Sequence, residues 1–116
     1  MTAAALAELV SRTSFAYRDE DQLQAGLAAL FTDAGHACER EVRLSRADRL
    51  DLLVERVCVE VKVAGTVDRL ATQLARYAAS DRVAEFLVVT NRARHGALPA
   101  EVGGKPITVV RLGGAG

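Results

Sequence analysis

Apolar residues recur along this chain with two different periods, and the changes of period mark its elements. The Ala- and Leu-rich stretch at residues 2–12 favours a helix. A break follows at TSFAYRDED, and then Leu23, Leu27, Leu30 and Phe31 form one helical stripe across 19–34. Asp19, Glu20 and Asp21 fall in the first turn of that helix, where negative charge suits the helix dipole, and Gly35 is a stop. HACEREVRL, DRLDLLV and VCVEVKV read as three successive strands, because valines at 57, 59, 61 and 63 alternate with Cys58, Glu60 and Lys62. Thr66 is a candidate N-cap for a helix at 67–79, which buries Val67, Leu70, Leu74 and Tyr77 or Ala78. AEFLVVTN is apolar enough to be a strand covered on both faces. A loop rich in Arg, Gly and Pro runs from 92 to about 105, PITVVRL is a last strand, and GGAG at 113–116 is a frayed tail. The order α-α-β-β-β-α-β-β predicts a mixed central sheet flanked by helices, in the α/β or α+β class.

Composition narrows this only in part. With 116 residues, half of them apolar, the chain suits one domain with a real core, preceded by a helical extension over 1–15. No apolar run is long enough to span a bilayer and no secretory signal opens the sequence, so a soluble cytoplasmic protein without a membrane partner is expected. Cys38 and Cys58 have no metal-ligand spacing and read as small, partly buried side chains. The formal net charge is zero, yet it is unevenly spread: residues 1–38 carry two basic and five acidic groups, and residues 63–116 carry seven basic and four acidic. Such polarity permits a local nucleic-acid patch without demanding one.

The chemistry sits on one hairpin. Only Glu55-Arg56 separates the strands at 50–54 and 57–63, so they pair antiparallel. If Val54 faces Val57, paired numbers sum to 111 and Asp51 lies opposite Glu60 on one face of the sheet. Lys62 shares that face, about 7 Å along the strand from Glu60. Opposed carboxylates repel, and a divalent cation held by oxygen ligands, Mg²⁺ or Mn²⁺, removes the repulsion. The main-chain carbonyl of Val61 is a further candidate ligand. Lys62 then stands where it can orient or deprotonate a water, or stabilise charge developing on a phosphorane. An isolated Asp…Glu-x-Lys more often marks a solvated face, with Glu60 paired to Lys62 or a nearby arginine.

RLDLLVERVCVEVKV resembles the PD-(D/E)XK nuclease superfamily, which includes restriction endonuclease-like and Holliday junction resolvase-like proteins. Asp51, eight intervening residues, Glu60, Val61 and Lys62 match its motif, although Leu50 stands where the motif's name has Pro. The superfamily's core of helix, three-stranded meander, helix and strand matches the element order from about 19 to 90. The resemblance implies a restriction endonuclease-like core, Mg²⁺ or Mn²⁺ as cofactor, and Asp51, Glu60 and Lys62 as catalytic residues. It also implies an acidic ligand from the first core helix, for which Glu20 is the candidate and Asp21 and Glu8 are weaker ones. Gln73 and Tyr77, four apart on one helix face, look like the Gln-x-x-x-Tyr pair of the nuclease domains of bacterial recombination helicase–nucleases, where it orients the lysine and the substrate strand. Arg92, Arg94 and His95 are candidates for phosphate contacts, with an ordinary solvated loop as the plainer reading.

The resulting expectation is a metal-dependent nuclease acting on DNA, including branched or recombination substrates. The Ala/Leu face of the first helix offers a surface for a homodimer, which would place two sites on two strands. The rivals are a non-catalytic module that binds nucleic acid or protein on the same fold, and an RNA-cleaving toxin or defence effector.

Overall fold

A computed structural model describes residues 2–113. It contains α1 (Ala3–Ser11), α2 (Glu20–Asp33), β1 (Cys38–Arg43), β2 (Arg49–Val54), β3 (Val57–Lys62), α3 (Val67–Tyr77), β4 (Glu85–Thr90), β5 (Glu101–Val102) and β6 (Lys105–Arg111), with a single 3-10 turn at Ala93–Ala97. The expected frayed tail lies, apart from Gly113, outside the described residues. The architecture is α+β: three helices on a mixed six-stranded sheet of order β1-β2-β3-β4-β6-β5. β1, β2 and β3 form an antiparallel meander, β4 and β6 run parallel to β3, and β5 closes a hairpin with β6. Among the described residues no helix is long and apolar enough to cross a membrane.

Local chemistry explains each boundary. The Asp19 carboxylate caps α2 by accepting from the Gln22 N–H at 2.8 Å. At its far end the N–H groups of Gly35 and His36 reach back to the carbonyls of Thr32 and Phe31. These two bonds need Gly35 in the left-handed region, at φ +91°. Thr66 caps α3 through the Arg69 N–H, as the sequence indicates. The loop expected from 92 to 105 is more structured than its composition suggests. It holds the 3-10 turn and then the β5–β6 hairpin, whose Gly103-Gly104 turn takes positive φ at both positions.

Two cores lie on opposite faces of the sheet. On one, α1 and α2 bury Leu6, Val10, Leu23, Leu27 and Phe31 against Val59, Val61, Leu87 and Val89. On the other, α3 buries Leu70, Leu74 and Tyr77 against Leu53, Cys58, Phe86 and Val88. Helix α1 is therefore part of the core rather than an extension. The apolar stripe expected to support a homodimer faces inward, with Ala3, Leu6 and Val10 fully buried. β4 is covered on both faces, as its unbroken apolar run requires.

Candidate active site

The β2–β3 hairpin has the expected register. Val54 pairs with Val57, Leu53 with Cys58 and Leu52 with Val59. The ladder stops there, and Asp51 does not pair with Glu60 through the backbone. Instead the carboxylates take over as acceptors: Glu60 Oε1 accepts from the Asp51 N–H at 3.0 Å, and Asp51 Oδ2 accepts from the Val61 N–H at 2.9 Å. Each acid thus bonds the other strand's main chain. The irregularity extends across β2. Leu50 and Leu53 both face α3 although they are three apart, and Glu41, which would oppose Asp51 in β1, sits unpaired at φ +52°. A strand residue's N–H and C=O point to the same side. The Val61 carbonyl therefore also faces the opened stretch of β2.

Glu60 is fully buried, and its Oε2 has no hydrogen-bond partner. Burial first, and then the neighbouring Asp51 charge, push its carboxyl well above the usual range, against the pull of the Asp51 N–H and of Lys62. Asp51 is raised as well, chiefly by burial, with the Val61 N–H and the Lys62 charge opposing. Neither acid is neutralised by an ion pair. Lys62 is half-buried at the end of β3, and among the described residues no carboxylate lies within 4.0 Å of its ammonium. The plain alternative, a Glu60–Lys62 surface pair, is not the arrangement found. Cys58 lies beneath, with Sγ 3.8 Å from Glu60 Oε1. Burial and the Glu60 charge push its thiol well up, so it is a neutral filler.

Glu20 reaches the same place from the first turn of α2. Its Oε1 accepts from the Val63 N–H at 2.9 Å, one residue beyond Lys62, and its charge is close enough to act on Asp51. Asp21 turns away to Arg40, and Glu8 is exposed on α1. On the α3 side Gln73 Nε2 donates to the Tyr77 hydroxyl at 2.8 Å, which in turn donates to the Arg49 carbonyl at 2.9 Å. Tyr77 is 2 % exposed, and burial, followed by the Glu60 charge, raises its phenol. The ring accordingly braces β2 from within and does not face a substrate. Gln73 does reach solvent: with Lys62, Arg69 and Arg76 it lines an open cleft of about 520 Å³.

The segment after β4 departs most from expectation. Arg92 Nε donates to the Val63 carbonyl at 2.7 Å and Arg94 Nε to the Gly65 carbonyl at 2.8 Å, so both exposed arginines brace the β3–α3 loop. His95 is fully buried and cannot touch a phosphate. Its Nε2 lies 3.1 Å from the Gly65 carbonyl and its Nδ1 2.6 Å from Thr90 Oγ1. A carbonyl only accepts, so Nε2 carries the proton, and the Thr90 hydroxyl donates to Nδ1 while accepting from the Arg92 N–H. Sequence reasoning missed this strap. The available signal was a threonine ending an apolar parallel strand with a histidine five residues on, at the carboxyl edge where open α/β sheets carry their sites. His95→Ala is expected to lower stability by about 1–3 kcal/mol in urea unfolding, because it leaves the buried Thr90 hydroxyl without its acceptor.

No family model, no curated protein and no solved structure matches this chain. Functional inference therefore rests on the geometry. Among the described residues no three His, Cys, Asp or Glu side chains are gathered closely enough to hold a metal ion by themselves. Two acids do converge, with a carbonyl and a lysine beside them, and Mg²⁺ commonly binds through one or two carboxylates while keeping several waters. The unpartnered Oε2 of Glu60 is the atom that such an ion would satisfy.

Proposed function

We propose that this chain is a Mg²⁺- or Mn²⁺-dependent nuclease of the PD-(D/E)XK type, built on a restriction endonuclease-like core and hydrolysing phosphodiester bonds in DNA. One observation carries the reading: a fully buried carboxylate, Glu60, faces a second acid, and its Oε2 has no partner. An isolated buried charge of this kind is too unfavourable to persist without a proton or a cation. The lysine two residues on and the resemblance of Asp51, Glu60, Val61 and Lys62 to the nuclease motif favour the cation.

Asp51, Glu60 and the Val61 carbonyl would hold the ion. Glu20, with Oε1 engaged by Val63, would act on it through a water from Oε2. A bound divalent ion supplies Lewis acidity toward the phosphate and lowers the pKa of a coordinated water. The Lys62 ammonium positions the attacking water and faces the charge that builds on the phosphoryl oxygens. Water attacks phosphorus in line and gives up a proton to solvent, the bond to the 3′ oxygen breaks, and the leaving oxygen takes a proton from solvent. Gln73, Arg92 and Arg94 lie where they can hold flanking phosphates, and Tyr77 fixes Gln73 from behind.

The test is cleavage of labelled single-stranded, duplex and branched DNA and of tRNA, with Mg²⁺, Mn²⁺ or EDTA. Cleavage that needs the divalent ion and is absent in Asp51→Asn supports the proposal; Asn keeps an acceptor for the Val61 N–H, so the fold should survive. Absence of cleavage on every substrate, or an Asp51→Asn variant as active as the parent, refutes it. Cleavage of tRNA alone would move the substrate to RNA.

A further inference from the structure

A second cleft opens on the same edge of the sheet, beyond the carboxyl ends of β4 and β6. It is lined by Arg18, Arg92, Arg94 and Arg111, and among the described residues by no acidic one. None of these four guanidinium groups has a carboxylate within 4.0 Å among the described residues. Four uncompensated cations around one concavity are unfavourable unless an anion lies between them. The other wall is aromatic, formed by Phe15 and Tyr17. The Phe15 ring lies against Gly26, where a Cβ would come within 3.2 Å of it, so α2 holds this wall in place. Tyr17 is fixed by its hydroxyl, which accepts from Asn91 Nδ2 at 3.2 Å. Asn91 Oδ1, also at this cleft, is buried with no partner and is an acceptor suited to an exocyclic amine.

The cleft joins the candidate active site through one residue. Val63 gives its N–H to Glu20 and its carbonyl to Arg92, so a strand leaving Lys62 meets Arg92 next. Arg111 is placed by register, since Lys62 pairs with Thr90 and Thr90 with Arg111 across the sheet. Basic groups alone would suit any polyanion. Aromatic faces beside them suit one whose bases are free to stack, which excludes the interior of a duplex.

We propose that this cleft binds a single-stranded segment of nucleic acid adjoining the scissile bond, with phosphates on the four arginines and a base against Phe15 and Tyr17. The proposal rests on the nuclease reading for the identity of the polymer. It makes the preferred substrate a strand with a single-stranded portion, such as a flap or a frayed end.

Binding without cleavage tests it. A short labelled single strand and a blunt duplex are titrated with the parent protein in EDTA and followed by fluorescence anisotropy. Arg18→Ala combined with Arg111→Ala is expected to weaken single-strand binding about tenfold and to lower the salt slope by about 0.7 per arginine removed. Tyr17→Ala should weaken it about fivefold or more, while Tyr17→Phe, which keeps the ring, binds like the parent. Duplex affinity should change by less than about twofold, within the loss expected for surface charges alone. Both arginines are exposed, so unchanged circular dichroism is expected. Single-strand affinity that survives these substitutions, equal losses on duplex, or displacement by polyglutamate as effective as by an oligonucleotide overturns the proposal. A parent that binds the single strand through these residues yet never cleaves overturns the nuclease reading alone. One that cleaves while its arginine variant binds undiminished overturns the cleft alone.

Discussion

Lys62→Ala is expected to reduce Mg²⁺-dependent cleavage by about 10²–10³-fold, the loss typical of removing one group aimed at developing charge. The reason lies in what this ammonium does not do. Among the described residues it makes no ion pair with Glu60, Asp51 or any other carboxylate within 4.0 Å, so it is not a stabilising surface bridge there. It stands at the end of β3, in line with two raised acids, and projects toward the cleft that Gln73 lines. Its removal should cost less than about 1 kcal/mol of stability, as for half-exposed charges generally. For a domain of this size that shifts the melting temperature by a few degrees at most, roughly 4–8 °C per kcal/mol. Single-turnover cleavage together with thermal melting separates the two effects. Lys62→Arg divides the role further. A guanidinium keeps the charge but does not give up a proton, so partial rescue points to charge stabilisation and no rescue to proton transfer. An alanine variant that cleaves at the parent rate would remove lysine from the mechanism.

Periodicity made much of the fold legible. Val57, Val59 and Val61 alternate into one core and Cys58 and Glu60 into the other, and the two-residue link fixed the hairpin register that the structure shows. Thr66 and Gly35 marked helix ends because caps are local chemistry, whereas Asp19, read as a first-turn charge, is the N-cap of α2. The approach of Asp51 and Glu60 was also readable, since both are set by that register. What stayed hidden was set by bonds between distant segments. Glu20 and Val63 are 43 residues apart, Arg92 and Val63 are 29 apart, and His95 and Gly65 are 30 apart. No periodic pattern reports a side chain that reaches a carbonyl across the fold. For that reason Arg92, Arg94 and His95 read as candidate phosphate contacts or a solvated loop, and Tyr77 as a candidate substrate contact, with no sign that the first three brace the β3–α3 loop and Tyr77 braces β2. The broken alternation at Leu50 has the same origin: the carboxylates displaced the ladder bonds that would have kept β2 regular.

Without divalent ions, the protein is expected to lose stability as the pH rises from 5 to 8, and saturating Mg²⁺ or Mn²⁺ should reverse the loss. Glu60 and Asp51 both have folded-state pKa values above those of exposed carboxyls, which are about 4.3 and 3.9. The folded state therefore binds protons more tightly than the unfolded chain, and unfolding releases them. Stability then falls with rising pH. The favourable contribution is complete below the unfolded pKa values and disappears as the pH passes through the folded ones. Above that range Glu60 Oε2 is a buried anion with no partner, a penalty on the order of 1–3 kcal/mol. A divalent ion takes the place of the proton, so its stabilisation should be larger at pH 8 than at pH 5.5, where protons compete for the same oxygens. At a hundredfold excess over its dissociation constant the ion adds about 2.7 kcal/mol. Glu60→Gln gives the opposite signs. Its amide keeps an acceptor for the Asp51 N–H and carries no charge, so the metal-free variant should melt higher than the parent at pH 8. It should also lose most of the cation-induced shift. Melting curves of both proteins across this pH range, with EDTA or a divalent ion, decide the matter. A parent whose stability ignores both pH and cation would mean that the two carboxyls form a polar contact of the core and hold no ion.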